Sequence, residues 1–298
     1  MRCLQPGSFD RACENRRTLL TDYHLHLRRD GTDYTAAEHH TAENAGAYRA
    51  VAQERGISEL GVSEHIYRFA AALELWRHPF WERFAQDDLD AYCTFVREST
   101  DLRLGIEADF IAGAEDRTAE LLARHDFDYV VGSVHFIRDG AVDMDDFSVW
   151  GSGRSVEEIW RRYFETVAES ARSGLFDILA HPDLVKYWGE SARRPAGDLR
   201  RYYEPAIEAI AETQIAVEVS TAGLRKPVAE LYPAMPFLEM VLETGAPIAL
   251  SSDAHTPQDV GAGYDVALET LEALGVRELA TFDRRSRALA PLGAQDRQ

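Results

Sequence analysis

One alternation of apolar and polar segments runs along most of the chain. Short apolar runs, typical of buried β-strands, cover residues 19–23, 59–62, 102–106, 129–134, 177–180, 215–219 and 247–250. Polar residues follow these runs, and helical stretches with apolar positions three to four residues apart lie near residues 37–54, 87–99, 116–125, 155–173, 198–213, 229–243 and 264–274. Seven strand–helix units without a break in composition favour an α/β fold with one closed parallel (β/α) barrel. An open, doubly wound sheet is the alternative.

The two ends of the chain lack this alternation. Residues 1–17 are polar and have no apolar segment of the kind found in a secretory signal, so we interpret them as a flexible leader. Residues 284–298 have a similar composition and are interpreted as a tail. A single barrel domain is therefore expected over residues 18–283.

Composition and charge exclude several classes of protein. The chain has 298 residues, a formal net charge of −19 and 45% hydrophobic residues, which is enough for a large core. Nucleic acids and anionic membranes are bound by clustered Lys and Arg, so neither is an expected partner. No apolar run approaches the roughly 20 residues of a membrane span. Three cysteines without paired spacing imply no disulfide framework. A cytoplasmic location is the expectation, and an anionic substrate would need a local source of positive charge.

Histidines concentrate where the predicted strands end. Six of the ten lie within five residues after such a run: His24, His26, His65, His135, His181 and His255. The carboxyl ends of parallel strands meet at the active site of a barrel, so these imidazoles are expected to lie together. His24 and His26 point to the same side of an extended chain, because side chains alternate. Glu107 adds a carboxylate at a further exit and Asp253 adds one at the exit of His255, and such a mixture suits Zn, Fe or Mn better than Mg or Ca.

Seven motifs carry a resemblance to a known family. In chain order they read DYHLH (22–26), SEH (63–65), GIEADF (105–110), FDYVVGSVHF (127–136), ARSGLFDILAHPDL (171–184), VSTAGLRKP (219–227) and SSDAH (251–255). With them the chain resembles the polymerase and histidinol phosphatase (PHP) family of metal-dependent phosphoesterases, most of all its histidinol-phosphatase branch. The resemblance implies a distorted seven-stranded, TIM-like (β/α) barrel.

The resemblance also implies a centre of two or three divalent transition metals, Zn, Fe or Mn. The ligands that it implies are His24, His26, Glu107 and Asp253 for the first metal, Glu107, His135 and His181 for the second, and His65 and His255 for the third. Many relatives place a further histidine shortly after the HxH pair, where this chain reads LRRDGT at 27–32. Asp30 is the candidate oxygen ligand in its place.

The implied reaction is hydrolysis of L-histidinol phosphate to L-histidinol and phosphate, a step of histidine biosynthesis, with a metal-bridging hydroxide as the nucleophile. Glu107 is the bridging residue, and Asp253 or His255 assists proton transfer to the leaving group. Arg225, after the sixth strand, and Lys186 are the candidate cations for binding the phosphate. The aromatic-rich stretch 67–81 is a candidate lid. The oligomeric state stays open.

Three other functions remain as alternatives. The first is a PHP-type phosphoesterase that acts on another small phosphate ester or on a nucleotide. The second is a C–N hydrolase of the amidohydrolase type, which usually needs a lysine near a middle strand. Lys186 and Lys226 are the only lysines, and neither lies on the fourth strand. The third is a non-catalytic metal-binding PHP module, although such modules typically lose ligands.

Overall fold

The computed structural model describes residues 19–31 and 34–292, so the predicted leader at 1–17 lies outside the described residues. The strands in this part of the chain are β1 (Thr21–Asp22), β2 (Glu59–His65), β3 (Arg103–Asp109), β4 (Tyr129–Ser133), β5 (Phe136–Ile137), β6 (Gly140–Ala141), β7 (Ile178–Leu179), β8 (Ala216–Ser220), β9 (Ile248–Ser251), β10 (Glu278–Asp283) and β11 (Ser286–Pro291). The helices are α1 (Ala36–His39), α2 (Ala42–Glu54), α3 (Pro79–Phe84), α4 (Leu89–Ser99), α5 (Glu115–Leu122), α6 (Val156–Arg172), α7 (Arg200–Thr213), α8 (Met235–Glu243) and α9 (Tyr264–Ala273).

Seven of these strands form one parallel sheet that is nearly closed into a barrel. Its order is β1-β2-β3-β4-β7-β8-β9, and each neighbouring pair is parallel. The two outer strands meet just beyond their carboxyl ends, where Leu25 and Ala254 form a parallel bridge and His26 N–H donates to the Ala254 carbonyl at 2.8 Å. The predicted seven-stranded barrel is confirmed, and the open doubly wound sheet is not the fold.

An aromatic cluster fills the amino end of the barrel. The rings of Tyr23 and Tyr129 lie 5.0 Å apart between centroids, and Phe282 packs 5.7 Å from Tyr23. Two strand glycines make room for it, because a Cβ on Gly61 or Gly105 would come within 2.3 Å of a Tyr129 side-chain atom. The functional cavity is thus confined to the opposite, carboxyl end.

Two expectations from the sequence are wrong in detail. The helix expected near 37–54 is broken into α1 and α2, because the Thr41 hydroxyl accepts from Asn44 N–H and starts a new helix. The expected tail is not a tail at 286–291, since β11 pairs antiparallel with β10 from Ser286 to Pro291. This segment is polar, so its composition does not indicate a strand. It becomes one by pairing with β10, which directly precedes it.

Two further expectations from the sequence concern membrane-spanning segments and the cysteines. Within the described ranges, none of the helices has the length and apolar character needed to cross a membrane. Cys93 is a free, buried thiol in α4, whereas Cys3 and Cys13 lie outside the described residues.

Candidate metal centre

The predicted metal ligands lie together at the carboxyl edge of the barrel. They are six histidines and two carboxylates: His24, His26, His65, Glu107, His135, His181, Asp253 and His255. Six of them are buried, while Asp253 and His255 are partly exposed at the cavity above. The structure therefore brings together residues from the exits of β1, β2, β4, β7 and β9 with Glu107 of β3.

Glu107 lies at the centre of this cluster. Its Oε2 is 3.4 Å from His24 Nε2 and 3.6 Å from His26 Nε2. Its other oxygen, Oε1, is 3.2 Å from His181 Nε2 and 3.5 Å from His135 Nε2. One carboxylate thus faces two histidine pairs with two different oxygens, which is the arrangement needed to bridge two metal ions.

These separations fit divalent transition metals. Two ligands about 2.1 Å from a tetrahedral ion lie about 3.4 Å apart, and Asp253 Oδ1 is 3.4 Å from His26 Nε2 and 3.7 Å from His24 Nε2. Those two imidazole nitrogens, Glu107 Oε2 and Asp253 Oδ1 are all buried, yet none has a hydrogen-bond partner among the described residues. Buried polar atoms are normally paired, so a set of unpaired atoms that converge on one point is suited to hold cations.

Electrostatics prepares most of these groups for a cation. Burial alone would raise the pKa of Glu107, but His65, His24 and His135 hold it well below its ordinary value. Burial lowers the pKa of His65 to about 3, so its ring is neutral near neutral pH. Burial also opposes a charge on His135, but the carboxylates of Asp109 and Glu107 raise its pKa to about 10. Metal binding at His135 therefore requires the release of a proton.

Glu218, inside β8, orients two of the ligands from behind. Its Oε1 lies 2.7 Å from His24 Nδ1 and accepts a hydrogen bond from Ser251 Oγ at 2.6 Å. Its Oε2 accepts from the backbone N–H of His181 at 2.6 Å. A carboxylate behind a ligating imidazole sets the orientation and the tautomer of the ring. Sequence reasoning assigned no role to Glu218, although a charged residue inside an apolar strand is itself a signal, because it needs a buried partner.

Asp109, at the end of β3, orients a third ligand in the same way. Its Oδ1 lies 2.8 Å from His135 Nδ1 and leaves His135 Nε2 facing the cluster. The sequence offered a signal here as well, because Asp109 follows Glu107 by two positions and side chains on a strand alternate.

The residues predicted to bind the third metal, His65 and His255 with Asp30, lie on the side of the cluster that faces the cavity. The rings of His26 and His65 stack at 4.0 Å, and those of His26 and His255 stack at 4.4 Å. Asp30 approaches both outer rings, with Oδ2 3.2 Å from His255 Nε2 and Oδ1 3.9 Å from His65 Nε2. The buried Arg68 guanidinium donates to Asp30 Oδ1 at 2.7 Å and holds the carboxylate in this place. Asp30 is therefore within reach of a metal held by His65 and His255, and its role as a ligand stays a prediction.

Two ligand residues have backbone conformations that side chains rarely adopt. Asp253 has a φ of 49° and His181 a φ of 23°. Such conformations carry strain and cluster at functional sites. The backbone just beyond β7 and β9 is thus bent to aim these two side chains at the centre.

A cavity of about 300 Å³ opens above the cluster, at the lower end of the range for small-molecule sites. Ligand residues His65, His135, His181, Asp253 and His255 form part of its wall. Of the described residues that line it, Lys226 is the one lysine or arginine.

The two cations predicted to bind phosphate lie elsewhere. Arg225 Nη2 donates to the Ser252 carbonyl at 2.6 Å, and its Nε pairs with Asp259 at 3.4 Å. Lys186 is buried, with Nζ 3.1 Å from Asp183 Oδ2 and 2.6 Å from the Leu231 carbonyl. Neither side chain lines the cavity, which argues against the predicted contact of Arg225 and Lys186 with substrate. Both are held by backbone carbonyls and carboxylates of the loops that surround the site.

The aromatic stretch predicted as a lid forms one wall of the cavity. It folds into two short 3₁₀ helices, Ile66–Arg68 and Ala70–Glu74, followed by α3. Tyr67 stacks on His65 with ring centroids 4.7 Å apart and meets Phe80 at 5.0 Å. Tyr67 and Phe80 line the cavity, so this wall is apolar and suited to a planar ring. Its movement as a lid stays a prediction.

A nearly closed parallel barrel with a bridging carboxylate among histidines defines a barrel metalloprotein with room for more than one ion. The profile of the PHP domain matches residues 22–222. The chain belongs to the PHP domain family.

One relative extends this comparison over nearly the whole chain, and a second covers more than half of it. The probable histidinol-phosphatase of Deinococcus radiodurans is 33% identical over 275 residues, covering 90% of this chain and 98% of its own. The histidinol-phosphatase of Bacillus subtilis is 27% identical over 188 residues, covering 58% of this chain and 70% of its own.

A solved structure agrees in fold. The histidinol phosphate phosphatase of Lactococcus lactis, crystallised with zinc, L-histidinol and phosphate, superimposes with a TM-score of 0.66 at 18% identity. The match covers 91% of this chain and 99% of that one. At this level of identity the likeness concerns the fold.

Proposed function

We propose that this protein is a metal-dependent phosphomonoesterase that hydrolyses L-histidinol phosphate to L-histidinol and phosphate. The position of Glu107 carries the proposal, since its two oxygens face two histidine pairs beneath a cavity of small-molecule size. The likeness to the Deinococcus radiodurans relative over nearly its full length supports the same activity. We place the protein in the cytoplasm, in a single barrel domain, with a small phosphate ester rather than nucleic acid as its partner.

The ligand set would hold two or three ions of zinc, iron or manganese. Bound divalent cations supply Lewis-acid stabilisation of phosphate oxygens and lower the pKa of water. Glu107 holds the spacing between the two histidine pairs. Glu218 and Asp109 orient the His24 and His135 imidazoles, and Glu218 also holds the backbone of His181. A neutral apolar pocket could not attract the phosphate dianion, whereas this cluster can once it is loaded.

Asp253 and His255 are placed to move a proton at the cavity wall. His255 Nδ1 lies 3.6 Å from Asp253 Oδ1, and both residues line the cavity. The leaving oxygen of a phosphate ester needs a proton as its bond to phosphorus breaks. We assign this transfer to the Asp253–His255 pair.

Lys226 takes the phosphate-binding role that the sequence suggested for Arg225 and Lys186. It lines the cavity, its Nζ lies 5.8 Å from the centre of the Tyr187 ring, and the carboxylates of Asp253 and Asp30 outweigh burial and raise its pKa, which keeps it charged. Replacing Lys226 by Met should lower kcat/KM for the phosphate ester by roughly 10- to 100-fold, the value of one charged hydrogen bond. Steady-state kinetics at constant metal content would measure the change.

Lys226→Arg and Arg77→Met are the matched variants for this prediction. The first keeps the charge in the cavity and should recover much of the activity, and the second removes an exposed cation whose side chain is 71% accessible. A Lys226→Met enzyme with unchanged kinetics would contradict the role assigned to Lys226.

Phosphate release from a panel of esters tests the proposed function. The panel holds L-histidinol phosphate, nucleoside monophosphates and 4-nitrophenyl phosphate, and the bound metals are quantified in the same sample. We expect L-histidinol phosphate to be hydrolysed with the highest kcat/KM, activity to disappear with a chelator, and activity to return with Zn, Fe or Mn. Metal-loaded protein that releases no phosphate would instead identify a non-catalytic module. A preference for a nucleotide would reassign the substrate.

A further inference from the structure

Asp143 is a cavity carboxylate that the metal centre does not use. Three carboxylates line the cavity, namely Asp30, Asp143 and Asp253. Asp30 is bound by Arg68, and Asp253 faces the histidines of the cluster. Asp143 Oδ1 is buried, but within the described part of the chain it accepts no hydrogen bond. A buried oxygen without a donor is costly, so this one is prepared for a donor that arrives with a ligand.

The backbone just before Asp143 is held in place. The carbonyl of Val142 accepts hydrogen bonds from the indole N–H groups of Trp150 and Trp188, both at 2.8 Å. The N–H of Val142 donates to the His135 carbonyl at 3.0 Å. Three hydrogen bonds on the backbone of Val142, two of them from rigid aromatic side chains, hold the peptide units on both sides of this residue and fix where the next side chain begins. Asp143 is therefore positioned in advance, as a residue that discriminates between ligands has to be.

The cavity thus offers three kinds of surface. Lys226 and the metal cluster provide the positive part, Asp143 provides a carboxylate whose Oδ1 accepts no hydrogen bond from the described residues, and Tyr67, Phe80 and Phe136 provide an aromatic wall. L-Histidinol phosphate has three matching groups, namely a phosphate, an ammonium and an imidazole ring. With phosphate at the cluster and the ring against the wall, the ammonium group is left for Asp143.

We propose that Asp143 is a specificity-determining residue that accepts a hydrogen bond from the ammonium group of the substrate. The inference rests on the proposed function. It specifies the preferred substrate class as phosphate esters that carry an ammonium group. It also accounts for the unpartnered oxygen, because the ammonium supplies the missing donor and compensates the buried charge.

Three esters test the proposal in the wild type and in Asp143→Asn. They are L-histidinol phosphate, its analogue without the amino group, 3-(imidazol-4-yl)propyl phosphate, and 4-nitrophenyl phosphate. The wild type should prefer L-histidinol phosphate over the analogue by roughly 10- to 100-fold in kcat/KM, as expected for a hydrogen bond to a charged group. Asp143→Asn should remove most of this gap by slowing the ammonium substrate alone, and leave the other two esters within about twofold of wild type.

Controls separate substrate recognition from a structural role. Asp143→Glu keeps the charge and should retain part of the preference, whereas Asp145→Asn changes an exposed aspartate of the same loop and should alter nothing. Bound metal and thermal stability are measured for each variant. Equal losses on all three esters, or a wild type without any preference for the ammonium substrate, would overturn the role of Asp143.

The same design distinguishes this proposal from the proposed function. Should the metal-loaded wild type hydrolyse 4-nitrophenyl phosphate but not L-histidinol phosphate, the proposed substrate is wrong. The role of Asp143 is then tested by comparing kcat/KM for 2-aminoethyl phosphate with kcat/KM for ethyl phosphate. A preference for the amino ester that disappears in Asp143→Asn supports ammonium recognition, and its absence overturns it.

Discussion

Replacing Glu107 by Gln is expected to lower kcat/KM by more than about 100-fold, the upper value for losing a residue that only orients a ligand, and to deplete the protein of metal. The amide has the same shape but no charge, and only one of its two polar atoms can bind a cation. Both oxygens of Glu107 face histidine nitrogens at 3.2 to 3.6 Å. The substitution therefore removes the bridge and places an N–H group against one histidine pair.

Metal content and activity measured on the same preparation check this result. Glu218→Gln is the graded comparison, because Glu218 orients His24 and His181 without facing the cavity, and changes of this kind cost about 10- to 100-fold. Glu74→Gln, on an exposed carboxylate with 57% of its side chain accessible, is the neutral control. Full activity with normal metal content in Glu107→Gln would remove the basis for a bridging role.

A Gly105→Ala substitution is expected to cost about 2 to 3 kcal/mol of folding free energy, the usual range for overpacking a tight core. The added Cβ would lie 2.3 Å from Cζ and 2.4 Å from Cε2 of the Tyr129 ring. That ring cannot easily retreat, because Tyr23 and Phe282 pack around it. Chemical denaturation with a two-state fit measures the loss.

A double-mutant cycle with Tyr129→Leu identifies the cause. Without the ring, Gly105→Ala should cost much less, so the two substitutions should be strongly non-additive. Gly46→Ala is the matched control, since a Cβ at this α2 position would meet no atom within 4 Å and alanine favours helix. An equal cost of Gly105→Ala in both backgrounds would show that contact with Tyr129 is not its origin.

Much of the candidate metal centre could be predicted from the sequence because its residues lie at or near the carboxyl ends of short strands. His24 and His26 alternate along one extended segment, and Glu107 and Asp253 occupy comparable exits of other strands. In a parallel barrel the carboxyl ends of all strands lie at the same end. Once the strands are located in the sequence, the residues at their carboxyl ends can therefore be expected to lie close together. Glu218 and Asp109 were missed because the hydrogen bond that gives each its role comes from a distant residue.

The substrate side of the cavity could not be predicted in this way. Arg225 and Lys186 follow strands just as the histidines do, yet both turn away from the cavity to carbonyl groups of neighbouring loops, those of Ser252 and Leu231. Lys226 is adjacent to Arg225 in sequence, and only the path of the loop after β8 decides which of the two side chains faces the cavity. Asp143 depends even more on the tertiary structure, because Trp150 and Trp188 hold the backbone before it from different loops.

By itself, the sequence determined the barrel and which histidines and carboxylates gather at its carboxyl end, because apolar periodicity and strand exits are local properties. The tertiary structure alone decided which cation lines the cavity, which carboxylates lie behind the histidines, and that the segment after residue 284 returns as β11. Those outcomes depend on contacts between residues far apart in the chain. Their energies are set by packing and by buried polar pairing rather than by local pattern.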